Sequence, residues 1–204
     1  MRGLKSRRGG AFAALAGAAL LSAGAVAQDA DRGRADRDTA EHADDDRSLI
    51  ERRAQLEEMA EHAIDELQEK DEAAAELYHE AYGYAVLDTT KGGLLVSGTG
   101  GTGVAMQKRG GEPRFMHVGG AGIGAVGGVS NYKLVLLFED RDTFEEFVDG
   151  EWQAGANRGA VAGEKDVSPN EFFNGVAAYR IDENGLIARA EVEGMRFWPS
   201  DRLN

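Results

Sequence analysis

The chain has 204 residues, no cysteine and a formal net charge of −13. That length suits one domain with appendages. The lack of cysteine excludes disulfides, thiolate catalysis and thiolate-bound metals, and the negative charge opposes long-range attraction to nucleic acid or an anionic membrane.

Arg2, Lys5, Arg7 and Arg8 precede a run of small and apolar residues from Ala11 to Ala23, and Ala25-Val26-Ala27 has the small-x-small pattern that a signal peptidase reads. Residues 1–27 are therefore expected to be a cleaved signal peptide, exported by the Sec or the twin-arginine route, with Gln28 first in a periplasmic or otherwise extracytoplasmic mature chain. Losing those four basic residues takes the net charge from −13 to −17. The apolar run is too short to cross a bilayer, so no transmembrane segment is expected in the mature protein. Residues 28–47 are rich in Asp, Arg and Ala without apolar periodicity and read as a disordered acidic linker. Asp44-Asp45-Asp46 lacks the glycine-punctuated spacing of a calcium loop.

A single domain is expected over 48–204, with helices at 48–81 and a β-rich core at 82–204. Leu49, Leu56, Ala60, Ala63 and Leu67 recur at helical spacing, with Ile50, Met59 and Ile64 widening the stripe. This predicts an amphipathic helix to about Lys70, then a second from Ala73 to Ala81. His79-Glu80 begins like a zinc-protease motif, but Gly83 stands where the second histidine belongs. No metal site follows, and His62 and His79 are read as surface or packing residues. A short strand is predicted over Tyr82–Leu87.

Half of the 28 glycines fall between Gly92 and Val129. At about 0.5–1 kcal/mol each in element interiors, fourteen would cost on the order of 7–14 kcal/mol, so they must be needed. Period-two alternation through Leu94, Val96, Gly98, Gly100, Thr102, Val104 and Met106, and again from Phe115 to Ile123, predicts a long hairpin folded about Gly110-Gly111. It sets Gly98–Gly103 roughly opposite Val118–Ile123, a belt without side chains that serves either bending and helix packing or the approach of a ligand. Gly98-x-Gly100-x-x-Gly103 and Gly122-x-Gly124-x-x-Gly127 spell the dinucleotide fingerprint, but neither is followed by a helix, so no nucleotide cofactor is expected.

Beyond the hairpin, Lys133–Phe138 is a continuous apolar run and predicts a central strand. Asp140 or Asp142 then caps a short helix burying Phe144, Phe147 and Val148 and ending near Gly150, with Trp152 as an anchor on it. Asp182-Glu183-Asn184-Gly185 is the turn of a second hairpin between Val176–Ile181 and Leu186–Val192. The aromatic end at Phe197-Trp198 is expected to close the core. The fold class is α+β: a glycine-rich, mostly antiparallel, barrel-like sheet with an N-terminal amphipathic helix and one short helix between strands.

Ala81-Tyr82-Gly83-Tyr84-Ala85-Val86, Gly92-Gly93-Leu94-Leu95-Val96-Ser97-Gly98, Gly101-Thr102-Gly103-Val104, Phe138-Glu139-Asp140, Phe144 and Phe147, Trp152, Gly185-Leu186, Phe197-Trp198-Pro199 and Leu203-Asn204 follow one another in an order that resembles the SYLF domain family over about 77–204. The resemblance implies a lipid-binding module with a glycine-rich barrel-like sheet and no catalytic residues to carry over. Eukaryotic relatives bind phosphoinositides and reach membranes and actin with a basic N-terminal segment; here that position is acidic.

These readings converge on a non-enzymatic envelope protein that binds a lipid or another amphiphile. The candidate site joins Lys108, Arg109 and Arg114 at one hairpin tip, with Lys91 at the other end, as phosphate-binding cations to the belt glycines Gly98, Gly100, Gly101, Gly103, Gly120 and Gly122. Two alternatives stand beside it. One is an envelope scaffold with a protein partner and no lipid; the other is a hydrolase using Ser97 or Ser130 with His117, although no G-x-S-x-G elbow surrounds either serine.

Overall fold

The computed structural model describes residues 23–93, 96–123, 128–150, 171–188, 192 and 194–204. Most of the expected signal peptide, Trp152 and Gly124–Gly127 lie outside the described residues. The chain divides into units 1–46 and 47–204; in the first, residues 23–46 are helical.

Helix α1 (Ala23–Lys70) begins well before Ser48, so the backbone of 28–47 is helical where composition reads as linker. From Ser48 onward Leu56, Ala60, Ala63, Ile64 and Leu67 are buried as their spacing predicts, whereas Ile50 is exposed. Asp71 stops α1 and caps α2 (Glu72–Glu80): its Oδ1 accepts from the amides of Ala73 and Ala74 at 3.0 and 3.1 Å. His62 and His79 are exposed.

Strand β1 (Gly83–Gly93) runs farther than its apolar start suggests, because Thr89 alternates inward and is fully buried. It pairs on one side with β2 (Val96–Gln107) and on the other with β4 (Gly128–Phe138). β3 (Arg114–Ile123), β5 (Val176–Asp182), β6 (Gly185–Ala188) and β7 (Met195–Pro199) complete an antiparallel sheet of order β6-β5-β4-β1-β2-β3-β7. The sheet stays open. Closure needs edge strands that pair along their length, and β6 has four residues and β7 five. The expected barrel-like form is therefore, among the described residues, an open sheet with edges at β6 and β7.

The β2–β3 hairpin forms, with Gly100 opposite Gly119 and Gly98 opposite Ala121. Its register differs by two residues from a fold about Gly110-Gly111, because the Lys108 amide is tied to the Tyr82 carbonyl at 3.1 Å and Gly110 alone in the turn takes a positive φ, 91°. A two-residue shift keeps each side chain on its face. The Gly98–Gly103 fingerprint lies wholly within β2, without a helix after it.

Each sheet face carries its own core. Leu56, Ala63, Leu67 and Leu77 of α1 and α2 pack on Val86, Val104, Phe115, Val135, Leu137 and Tyr179. The other face meets α3 (Arg141–Val148), whose Phe144 and Phe147 join Leu87, Met116, Leu136, Phe138 and Phe197. Asp140 caps α3, accepting from the Thr143 amide at 2.8 Å. Phe197 closes this core as expected, but Trp198 alternates to the opposite face and is 45% exposed. At the C-terminal end, the Asn204 carboxamide accepts from the Phe115 amide at 2.8 Å and donates to its carbonyl at 3.0 Å.

Candidate functional site

One cross-strand row on the helix-bearing face reads Ile181, Lys133, Asp88, Thr102, His117, Trp198. Helix α1 follows it. Glu66 Oε2 lies 3.8 Å from Lys133 Nζ toward one end, and Ser48, Leu49 and Arg52 stand beside Thr102, His117 and Trp198 at the other. The next two rows on this face are Asn131, Thr90, Gly100, Gly119, Arg196 and then Val129, Gly92, Gly98, Ala121. Most of these positions are exposed, Val129 by 74%. Among the described residues nothing lies within 4 Å of a Cβ built on Gly98 or Gly100. This part of the belt is open.

The other part is not. A Cβ on Gly101 would stand 2.3 Å from the Asp88 carbonyl oxygen, and one on Gly103 only 2.0 Å from that of Val86. These glycines point to the α3 face, where β2 coils so tightly onto β1 that no side chain fits. Gly120 is also close-packed, its Cβ position 3.0 Å from the Gly194 carbonyl, and Gly122 of β3 pairs with Ser97 of β2. The belt thus serves bending on one face and lies bare on the other.

Lys108, Arg109 and Arg114 lie at the tip of the β2–β3 hairpin and Lys91 lies at its other end. Lys108 Nζ donates to the Tyr78 carbonyl and, at 2.8 Å, to that of His79, and sits 4.6 Å from the Tyr78 ring centroid. It complements the C-terminal end of α2, and burial, then Arg109, lowers its pKa. Arg109 is exposed on the turn; Arg114 opens β3 with its Nε buried and unbonded. Lys91 pairs with Thr99 and Ser130 near the far end of β1, roughly 26 Å along the strand from the hairpin tip.

His117 and the two serines occupy opposite faces. The Ser130 hydroxyl accepts from Arg180 at 2.8 Å, Ser97 is buried between Gly93 and Gly122, and His117 Nδ1 lies 3.1 Å from Thr102 Oγ1. They form no nucleophile–base pair.

Where α1 meets β3 and β7 there is a groove of about 520 Å³, floored by Thr102 and His117 and bounded by Leu49, Arg52, Trp198 and the turn 199–203. A Cβ on Gly119 would lie 2.8 Å from the Trp198 ring, so the indole leans over the glycine row, 5.9 Å from His117 between ring centroids. Groove and bare rows share one face and are continuous by register. Sequence reading missed Arg52, Trp198 and Arg202 as site residues. The one available signal was the pair Arg52-Arg53: the helical stripe turns Arg53 inward, where its Nε donates to the Leu203 carbonyl at 2.8 Å, and leaves Arg52 outward.

No family model matches the chain. It is similar to Beta cell expansion factor A of Aeromonas veronii. The two are 36% identical over 149 residues, taking in 72% of this chain and 57% of that relative. The chain thus spans little more than half of Beta cell expansion factor A. The matched length exceeds that of residues 77–204, so the likeness reaches the helical part as well as the sheet.

Proposed function

We propose that this chain is an exported, SYLF-like protein that binds a lipid or another amphiphile without catalysing a reaction. The observation that carries the reading is the bare furrow over Gly100 and Gly98, open on the helix-bearing face and continuous with the groove beside Trp198. A surface lacking side chains lets an acyl chain approach the backbone closely, and each apolar Å² removed from water contributes about 25 cal/mol. The similarity to Beta cell expansion factor A supports the SYLF-like part of the reading alone, and the resemblance of the ordered blocks to the SYLF family implies the lipid-binding part.

Export is part of the proposal. N-terminal sequencing of the protein recovered outside the cytoplasm should begin at Gln28; an intact Met1 in that fraction removes the signal-peptide assignment.

To test binding, the purified chain is extracted and its lipids are identified by mass spectrometry, beside variants in which Gly98 and Gly100 become Val or Lys108, Arg109 and Arg114 become Glu. Lipid that co-purifies with the parent and is lost from the glycine variant supports the furrow; loss from the Glu variant instead supports the hairpin tip. Clean protein from a folded parent favours the scaffold reading, which the use of Lys108 to hold α2 also favours for the tip.

A further inference from the structure

We infer that the groove selects an amphiphile with a single anionic head, held by Arg52 and Arg202, and lays its chain along the furrow over Gly100 and Gly98. The inference rests on the amphiphile-binding reading above. In this chain of net charge −13, some of the described cations are held by carboxylates. Lys70 and Lys133 face Glu66, Arg141 faces Glu145, and Arg180 faces Asp182. Arg52 and Arg202 do not: neither makes an ion pair or hydrogen bond among the described residues, yet both line the same groove. One carboxylate, Asp201, shares its rim, so the two arginines leave one excess positive charge over it. A planar guanidinium fork suits a carboxylate or a phosphate monoester, and the two heads share that recognition chemistry.

The apolar half of the ligand is accounted for by the same geometry. Leu49 and Trp198 flank the groove, and the indole is held between His117 and Gly119. From Thr102 and His117 the floor passes to Gly100 and Gly119, then to Gly98 and Ala121, two steps of roughly 7 Å each along the strands. A head at the arginines therefore fixes the polarity of the bound molecule, with its tail toward Gly98.

The test titrates dodecanoate, dodecyl phosphate and uncharged dodecyl maltoside, each below its micelle concentration, into the full chain by calorimetry. At least one anion should bind more tightly than the maltoside, and whichever binds identifies the head. Arg52→Gln with Arg202→Gln should weaken anion binding roughly tenfold or more and leave the maltoside unchanged. Gly100→Leu, whose side chain enters open space, should keep the parent's melting temperature and weaken dodecanoate more than octanoate. Equal binding of maltoside and anions, undiminished in the arginine variant, overturns the anionic-head inference while amphiphile binding stands. Dodecanoate binding unchanged in Gly100→Leu overturns the tail path. No binding by any of the three probes overturns the inference together with the function proposed above.

Discussion

Within the single strand β2, glycines at even and odd positions answer to different physics. Gly101 and Gly103 face α3, and each would drive a Cβ into a carbonyl oxygen of β1; Gly98 and Gly100 face the other way, and each would put a Cβ into open space. Composition alone treats the four as one belt. Packing separates them: the α3 face has no room for side chains at Gly101 and Gly103, and the helix-bearing face has room at Gly98 and Gly100 that goes unused. A glycine without a steric reason forfeits strand stability relative to a residue with a side chain, and the ligand access proposed above would account for the bare patch.

The sharpest way to break this contrast is Gly103→Ala. With 2.0 Å available to the Val86 oxygen, the strand must shift, and a loss of at least about 4 kcal/mol is expected in urea unfolding, or failure to fold. A loss under about 1 kcal/mol would mean that the coil at β1 and β2 relaxes easily and that the distinction between faces is false.

Tyr179 probes the helix-covered part of that face. It is fully buried, its hydroxyl has no partner among the described residues, and burial, then Asp71, pushes its pKa from 10.0 to about 12. The folded protein therefore keeps the proton longer than the unfolded chain does, so this contribution to stability is intact below pH 10.0 and is lost as pH rises toward about 12. Tyr179→Phe should stabilise the fold by about 1–2 kcal/mol at neutral pH by removing an unsatisfied buried group, and should flatten the alkaline decline. Thermal melts at pH 7 and across the alkaline range, an experimental window chosen to bracket the shift, check both effects.

Gly119 lies at the border between crowded and open space. Its Cβ would press on the far end of the Trp198 ring, which can swing away, so Gly119→Ala should cost no more than about 1 kcal/mol. The same change should alter Trp198 fluorescence, read in a Trp152→Phe background. The smallest effect belongs to Gly100→Val, expected to leave stability unchanged or raise it by up to about 1 kcal/mol in the same unfolding assay. A large loss there would show that the helix-bearing face at Gly100 is as constrained as the α3 face at Gly103.

Much of this architecture is legible in the residues. The Lys133–Phe138 run announces a strand buried on both sides, Asp140 with Phe144 and Phe147 announces α3, and Asp182–Gly185 announces the turn between β5 and β6; each signal is local and the fold agrees with it. The β2–β3 register was less legible because a contact from outside the hairpin, the Lys108 amide on Tyr82, sets it. The helical course of 23–47 lacks an apolar stripe to mark it. The site was the least legible part. Lys108, Arg109 and Arg114 are neighbours in sequence, but Lys108 is taken up by α2. Arg52 and Arg202 are far apart in the chain and meet only because Leu203 is buried beneath α1 while Trp198 pairs with His117.

The Asn204 carboxamide has a consequence for how copies of this protein meet. Beyond the last β7 partner, Pro199 on Met116, the next backbone groups of β3 belong to Phe115. They would be an invitation to a foreign strand. Asn204 takes both of them and Ser200 adds a second donor to the carbonyl, so a side chain does the work of one more strand at that step and leaves those two groups closed to a neighbouring chain.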